Sequence, residues 1–290
     1  MCRIRLILGA VFATWLAFAS LPALAERFDI VYPRVSATPD LRAAFALAVL
    51  DLAMKETNTG YTIKSSDQIM ERGRALMELQ EGKTINLHWT SMAANVEKTL
   101  RPIRIPIHRG LIGYRVFIVR KDRQADFDKV HNLEELKALS GGQGLGWVDS
   151  EILKDAGLNV QISTYDLLFK MVEAGRIDYY PRGVVEAFTE LDARKVSEPD
   201  LAVEKHLLLL YTSDFIFYTS KHDERLAATI EKGLTAAYQD GSYMKLFNSH
   251  PYIQEAIKRS DLKNRIVIRL DNPYLSDQDR DIPEKYWMRY

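Results

Sequence analysis

In an open α/β sheet, ligands meet the chain just beyond the carboxyl ends of the strands, so the residues that follow each strand-like run are where chemistry is sought first. After the first such run come Tyr32, Pro33 and Arg34, and after the third His88, Trp89 and Thr90. A later series contributes Trp147, Asp149 and Ser150, then Tyr180, Pro181 and Arg182. Arg104, inside Pro102-Ile103-Arg104-Ile105-Pro106, and Arg115, inside a long apolar run, complete the set. The set is aromatic and cationic. Rings form the walls of an apolar slot, and guanidinium groups match a carboxylate or phosphate with two parallel donors. Ser150 and Glu151 open a helix, so the Ser150 hydroxyl and the N–H groups after it would also receive an anion. The candidate ligand-binding residues are therefore Tyr32, Arg34, Trp89, Thr90, Arg104, Arg115, Trp147, Asp149, Ser150, Tyr180 and Arg182. A competing reading leaves some of these arginines exposed or paired with Asp149, Asp178 or Glu186, and places Trp89 and Trp147 in the core.

Other chemistries find little support. The six histidines, at 88, 108, 131, 206, 222 and 250, show no His-x-x-x-His spacing, so no metal site is expected. Gly142-x-Gly144-x-Gly146 follows a loop and reads as a turn into a strand at 144–148, not as a dinucleotide fingerprint. Gly-x-Ser-x-Gly, the phosphate loop and a credible Ser-x-x-Lys site are missing, and no cofactor is expected.

The elements that position these residues alternate. Residues 28–33 read as a strand, and Thr38-Pro39-Asp40 starts a helix with Leu41, Phe45, Ala48, Val49 and Leu52 on one face. A strand at 61–64, a helix capped by Ser66-Asp67 and ended by Gly82, and a strand at 84–89 follow. Residues 111–120 have the strongest β-branched and aromatic content. A second series then runs as helix 132–139, strand 144–148, helix 150–156, strand 159–163, helix 165–174, strand 176–180 and helix 184–192. Strands at 207–211 and 215–220 precede a helical tail, 224–238, 244–247 and 252–258, with one weak strand at 265–270 that is expected to return over the first sheet. Two strand–helix series imply two sheets and two α/β domains.

The 290 residues carry 39 basic and 39 acidic side chains, a balance that argues against nucleic acid as a partner. With 47% hydrophobic and 27% charged residues the composition is that of a globular protein. Arg3 and Arg5, the apolar run 6–18 and Ala23-Leu24-Ala25 read as a signal peptide over 1–25, with an uncleaved anchor as the alternative. Cleavage before Glu26 removes both arginines and the only cysteine, Cys2, leaving net −2, no disulfide and no lipid-accepting thiol. The mature chain is expected in the periplasm, not inserted in the membrane, and monomeric.

This order of elements resembles the periplasmic solute-binding proteins of the bilobed type II class that serve amino-acid ABC importers. The resemblance rests on residues 215–221 followed by Leu226, Ile230, Leu234 and Asp240-Gly241-Ser242-Tyr243, and on Gly175-Arg176-Ile177-Asp178. It implies an α/β fold of two lobes, each a mostly parallel sheet flanked by helices, with two crossing hinge strands. Residues 26–113 plus 215–290 would form lobe one and 114–214 lobe two. The resemblance fails at two ligand positions. The arginine that clamps the ligand carboxylate falls near Asn95-Val96, and the aspartate that holds the ammonium falls on Gly183, beside Arg182. A divergent branch is implied.

The expected function is a binder, not an enzyme: a small polar, anionic or zwitterionic solute closes the lobes by hinge motion, and the closed form is presented to an ABC permease or membrane receptor. The alternatives are a periplasmic lyase resembling cyclohexadienyl dehydratase, with Glu151, Asp149 or His88 as general acid, and a stand-alone sensory module.

Overall fold

The computed structural model describes residues 27–35 and 42–289. The expected signal peptide and the Thr38-Pro39-Asp40 helix start lie outside the described residues. The chain first forms β1 (Arg27–Arg34), α1 (Ala43–Glu56), β2 (Gly60–Ile69), α2 (Arg72–Glu81), β3 (His88–Ser91), α3 (Ala94–Glu97) and β4 (Leu100–Ile103). It continues as β5 (Tyr114–Arg120), α4 (Gln124–Phe127), α5 (Leu133–Leu136), β6 (Ser140–Gly144), α6 (Val148–Asp155), β7 (Asn159–Ser163), α7 (Tyr165–Glu173), β8 (Tyr180–Gly183), α8 (Val184–Arg194), β9 (Leu201–Val203) and β10 (Leu207–Leu210). The last part holds β11 (Phe215–Ser220), α9 (Glu224–Asp240), α10 (Ser242–Ser249), α11 (Pro251–Ser260), β12 (Ile266–Arg269) and α12 (Asp277–Arg280).

Two platforms result. In the first, β1 pairs parallel with β2, and β11 lies antiparallel between β3 and β4. Asn86 joins the halves: its backbone N–H and that of Leu87 donate to the Val31 carbonyl, while its side-chain oxygen accepts from Val31 N–H at 2.8 Å. On one side α1 buries Phe45, Val49, Leu50 and Ala53 and packs on α9, whose Leu226, Ile230 and Leu234 are buried as their helical spacing predicts. The second platform runs β12-β10-β5-β8, with β9 also on β5. The parallel pair β6–β7 joins it through a bridge between Gly141 and Tyr179. Both platforms are mixed, because β5 and β11, the strands next to the crossing segments, run antiparallel to their neighbours.

The crossing segments 105–113 and 211–215 lie side by side. Ile107 N–H donates to Phe215, Gly113 N–H to Ser213, and Tyr211 N–H to Gly113. The Asp214 carboxylate accepts from the backbone N–H groups of His108, Gly110 and Phe215. A methyl group on Gly113 would sit 2.0 Å from the Tyr211 carbonyl oxygen, so this approach requires glycine.

Several elements depart from the sequence expectation. β2 runs on through Ser66, where a helix start is expected, because the Ser66 hydroxyl accepts from Arg34 N–H and donates to the Gln68 carbonyl instead of capping a helix. The helix begins at Arg72 and ends, as expected, at Gly82 in the left-handed region. The glycine-rich segment is itself a strand at Ser140–Gly144, not a turn leading into one at 144–148. Side chains on Gly141 and Gly142 would meet the Tyr179 ring at 2.7 Å and Ile177 at 2.4 Å, so this strand is ordered by what packs on it. The tail divides: α9 packs on the first platform, whereas β12 pairs parallel with β10 in the second.

Candidate functional site

On the first platform, Tyr32 at the end of β1 and Trp89 in β3 are ring neighbours, 5.4 Å between centroids at 40°. Strand alternation separates Trp89 from Thr90. Trp89 is half-buried with its ring edge-on to that of Phe217, while Thr90 is buried on the other face of β3 with His88. His88 lies opposite Tyr218 in the β3–β11 ladder. Burial, with the Arg72 charge beside it, pushes the His88 imidazole down to about 3, so the ring is neutral near pH 7. Its Nδ1 and the Tyr218 hydroxyl are buried without a hydrogen-bond partner among the described residues.

On the second platform, Arg115 and Arg182 come from adjacent antiparallel strands, with Arg115 opposite Gly183 and Val116 opposite Arg182. The two residues are 1% and 2% exposed, so each guanidinium needs a buried anion, and each has one. Arg115 donates to Asp149, in the first turn of α6, and lies 3.5 Å from Glu186. Asp149 also accepts from the Tyr211 hydroxyl. Arg182 donates to Glu186 at 2.7 Å and to both oxygens of Glu190 at 2.8 and 2.6 Å. α8 starts directly after β8, and its one-turn spacing turns Glu186 and Glu190 back onto Arg182. Glu186 also accepts from Gly183 N–H at 3.1 Å. The Arg182 guanidinium lies over Trp147 at 4.8 Å, Tyr180 at 5.3 Å and Tyr165 at 5.7 Å. Burial opposes the Arg182 charge, but Glu186 and Glu190 outweigh it and hold the group well above its ordinary value. Burial likewise opposes the Glu190 charge, and Arg182 outweighs it with Arg42, keeping that carboxyl well below the usual range. The pairing of arginines with Asp149 and Glu186, set beside ligand binding as the competing reading, is what the structure contains.

The platforms meet through side chains that the strand-end reading does not include. Arg72 opens α2, donates from Nε to Thr90 Oγ1 at 3.0 Å and reaches across from Nη1 to the Gly146 carbonyl at 2.8 Å. Burial pulls its pKa below the ordinary arginine value against the opposing pull of Asp149. Arg42 Nη1 reaches Glu190 at 3.3 Å and its guanidinium lies 4.7 Å from the Tyr165 ring. The Tyr274 hydroxyl donates to Asp155 at 2.7 Å. Arg72 escapes the sequence reading because the expected helix start at Ser66 places it mid-helix; a strand ending at Ile69 puts it at a strand end like the other candidates.

Other expected residues are engaged elsewhere. Arg104 is held by Glu97 at 2.6 Å, Gln278 at 2.7 Å and Asp279 at 3.3 Å. Arg34 donates to the Asp67 carbonyl. The Ser150 hydroxyl donates to the Trp147 carbonyl within its own helical turn, so that proton is not presented to an anion. Tyr180 is fully buried beneath Arg182, its hydroxyl without a partner among the described residues. Of the three acids named for a lyase, Glu151 is exposed and pairs with Lys154, Asp149 accepts from Arg115 and Tyr211, and His88 is neutral. Two shallow hollows, of about 420 and 360 Å³, lie at residues 221–225 and along 247–258, apart from these groups. The convergent buried charge on the second platform, reached from the first by Arg42 and Arg72, is the better candidate site. Among the described residues no three His, Cys, Asp or Glu side chains are placed to hold a metal, and no helix is long and apolar enough to cross a membrane.

No protein-family model and no curated protein matches the chain. Solved structures do. A histidine kinase sensor domain with similarity to periplasmic binding proteins aligns with TM-score 0.57 and 14% identity over 77% of this chain and 95% of its own. An arginine-specific periplasmic binding protein of Salmonella typhimurium aligns with TM-score 0.53 and 14% identity, over 77% and 98%. An ancestral arginine-binding protein bound to arginine gives 0.52 and 18%, over 77% and 96%. The fold is therefore the two-lobed periplasmic-binding-protein fold of type II.

Proposed function

We propose that the chain is an extracytoplasmic solute-binding protein whose two lobes close on one small anionic or zwitterionic solute, the closed form being read by an ABC permease or a membrane sensor. Residues 26–113 and 215–290 make one lobe in this reading, and 114–214 the other, with β12 lent across. A signal peptide over 1–25 exports the chain, which acts as a monomer. The observation that carries the reading is the meeting of the platforms at strand ends: Arg72 joins Thr90 to the Gly146 carbonyl, with Trp147 and the Arg182 network directly behind that turn. A group that bonds to both sides of a cleft reports their separation, which a solute-binding protein needs and a rigid scaffold does not.

The structural neighbours include an arginine binder and a sensor domain, and the shared fold supports either a transport or a signalling partner. Isothermal titration of the mature protein against amino acids, organic acids, peptides and phosphorylated solutes tests the reading, with small-angle scattering to follow closure. Micromolar binding of one class, with a smaller radius of gyration on binding, is expected. Heat signals at the noise level across all four classes would rule it out.

A further inference from the structure

Arg115 and Arg182 are matched by Asp149, Glu186 and Glu190. Arg42 shares Glu190. Arg72 differs: among the described residues its bonds go to a hydroxyl and a backbone carbonyl, and no carboxylate lies within ion-pair distance. Its Nη2 makes no hydrogen bond among the described residues. A half-buried guanidinium denied a carboxylate gives up part of its hydration without recovering it in an ion pair, which accords with the lowering of its pKa by burial. The neighbouring polar groups compensate little: His88 is neutral with an unpartnered Nδ1, and the Tyr218 hydroxyl is unpartnered too.

We propose that Arg72 is the anion-binding group of the cleft, taking a carboxylate of a small solute on its Nη2 edge while Thr90 holds its Nε and the Gly146 carbonyl its Nη1. The proposal rests on the solute-binding reading and deepens it. The guanidinium comes from the start of α2, not from the segment after β3, where Asn95 and Val96 stand in α3. Two consequences follow for the solute. It carries a carboxylate, whose two oxygens can accept from Nη2 and from the second N–H of Nη1 while the first stays on the Gly146 carbonyl. It carries no cationic side chain seated on this network, because Asp149, Glu186 and Glu190 are already occupied by arginines of the protein.

The test is titration calorimetry on the mature protein with the twenty L-amino acids and C2 to C6 carboxylic acids, each acid that binds being compared with its carboxamide. Arg72→Gln, Arg72→Lys and Thr90→Val are run in parallel, with melting temperatures to establish that each is folded. At least one acid binds the parent protein, its carboxamide binds about 100-fold more weakly, Arg72→Gln loses a similar factor, Arg72→Lys loses about 10-fold, and L-arginine gives no heat. Arg72→Lys keeps the proposal open to refutation if the glutamine variant does not fold, since it retains charge but not the two-donor edge. A solute that binds equally well as its amide, or equally well to Arg72→Gln and Arg72→Lys, overturns the role of Arg72 while leaving the solute-binding reading intact. If no acid binds the parent, this proposal falls, and if the wider solute panel also gives no heat, the solute-binding reading falls with it.

Discussion

Arg182 grips Glu190 with a two-donor fork, Nε to one carboxylate oxygen at 2.8 Å and Nη2 to the other at 2.6 Å, and both side chains are sealed from solvent. The pair ties the end of β8 to the second turn of α8, while Glu186 adds a third bond to the same guanidinium.

Breaking one side of that fork strands a buried charge. Glu190→Ala is expected to cost about 3 to 5 kcal/mol in urea unfolding, whereas a double replacement of Arg182 and Glu190 by apolar residues of similar volume costs clearly less than the single one. Equal losses in the two proteins would show that volume, not charge, dominates.

His88 makes the stability depend on acidity in one direction. Its native value is about 3, against about 6.5 in an unfolded chain, so as the pH falls below 6.5 the unfolded state takes up a proton that the native state does not. Stability is lost on acidification at up to about 1.4 kcal/mol per pH unit from this one group. In His88→Gln that contribution vanishes, as denaturant midpoints between pH 5 and 6.5 will reveal.

Asp279 pulls the other way. Burial and the adjacent Glu97 raise its carboxyl to about 7, so between about pH 4 and 7 the native state holds a proton the unfolded chain has released, and stability falls as the pH rises. The two slopes oppose each other, and the parent protein should be nearly flat between pH 5 and 6.5. Asp279→Asn should become more stable with rising pH over that range, and His88→Gln less stable. Parallel curves for both variants would contradict the assignment.

The crossing point supplies a steric test. Gly113→Ala places a methyl group 2.0 Å from the Tyr211 carbonyl oxygen and must open the Gly113–Ser213 and Tyr211–Gly113 backbone bonds. A loss of about 3 kcal/mol is expected by thermal melting, the upper range for overpacking. A melting temperature within a degree of the parent would mean the segments are looser than their hydrogen bonds imply.

What the residues declare by themselves is unevenly distributed. Tyr114–Arg120 and Phe215–Ser220 are legible as strands because β-branched and aromatic side chains select extended backbone, and Leu226, Ile230 and Leu234 declare one helix face. Ser140–Gly144 is not legible, since its glycines state no preference and the strand exists because Tyr179, Ile177 and Leu168 close on bare backbone. In the candidate site, strand-end positions lead to Trp147, Asp149 and Arg182, and the expected hinge strand to Arg115, but not to whether those arginines answer to a ligand or to Glu186 and Glu190, which depends on where α8 starts relative to β8. Arg72 is hidden by one hydroxyl: Ser66 looks like a cap and serves as a strand tie instead.

The Asp214 carboxylate, which collects the amides of His108, Gly110 and Phe215, has a mechanical consequence. It pins the two crossings into one knuckle, so neither can twist without dragging the other. In the solute-binding function proposed above, that knuckle is the common pin on which closure would turn, and the Arg72 contact with Gly146 would lie on the closing edge.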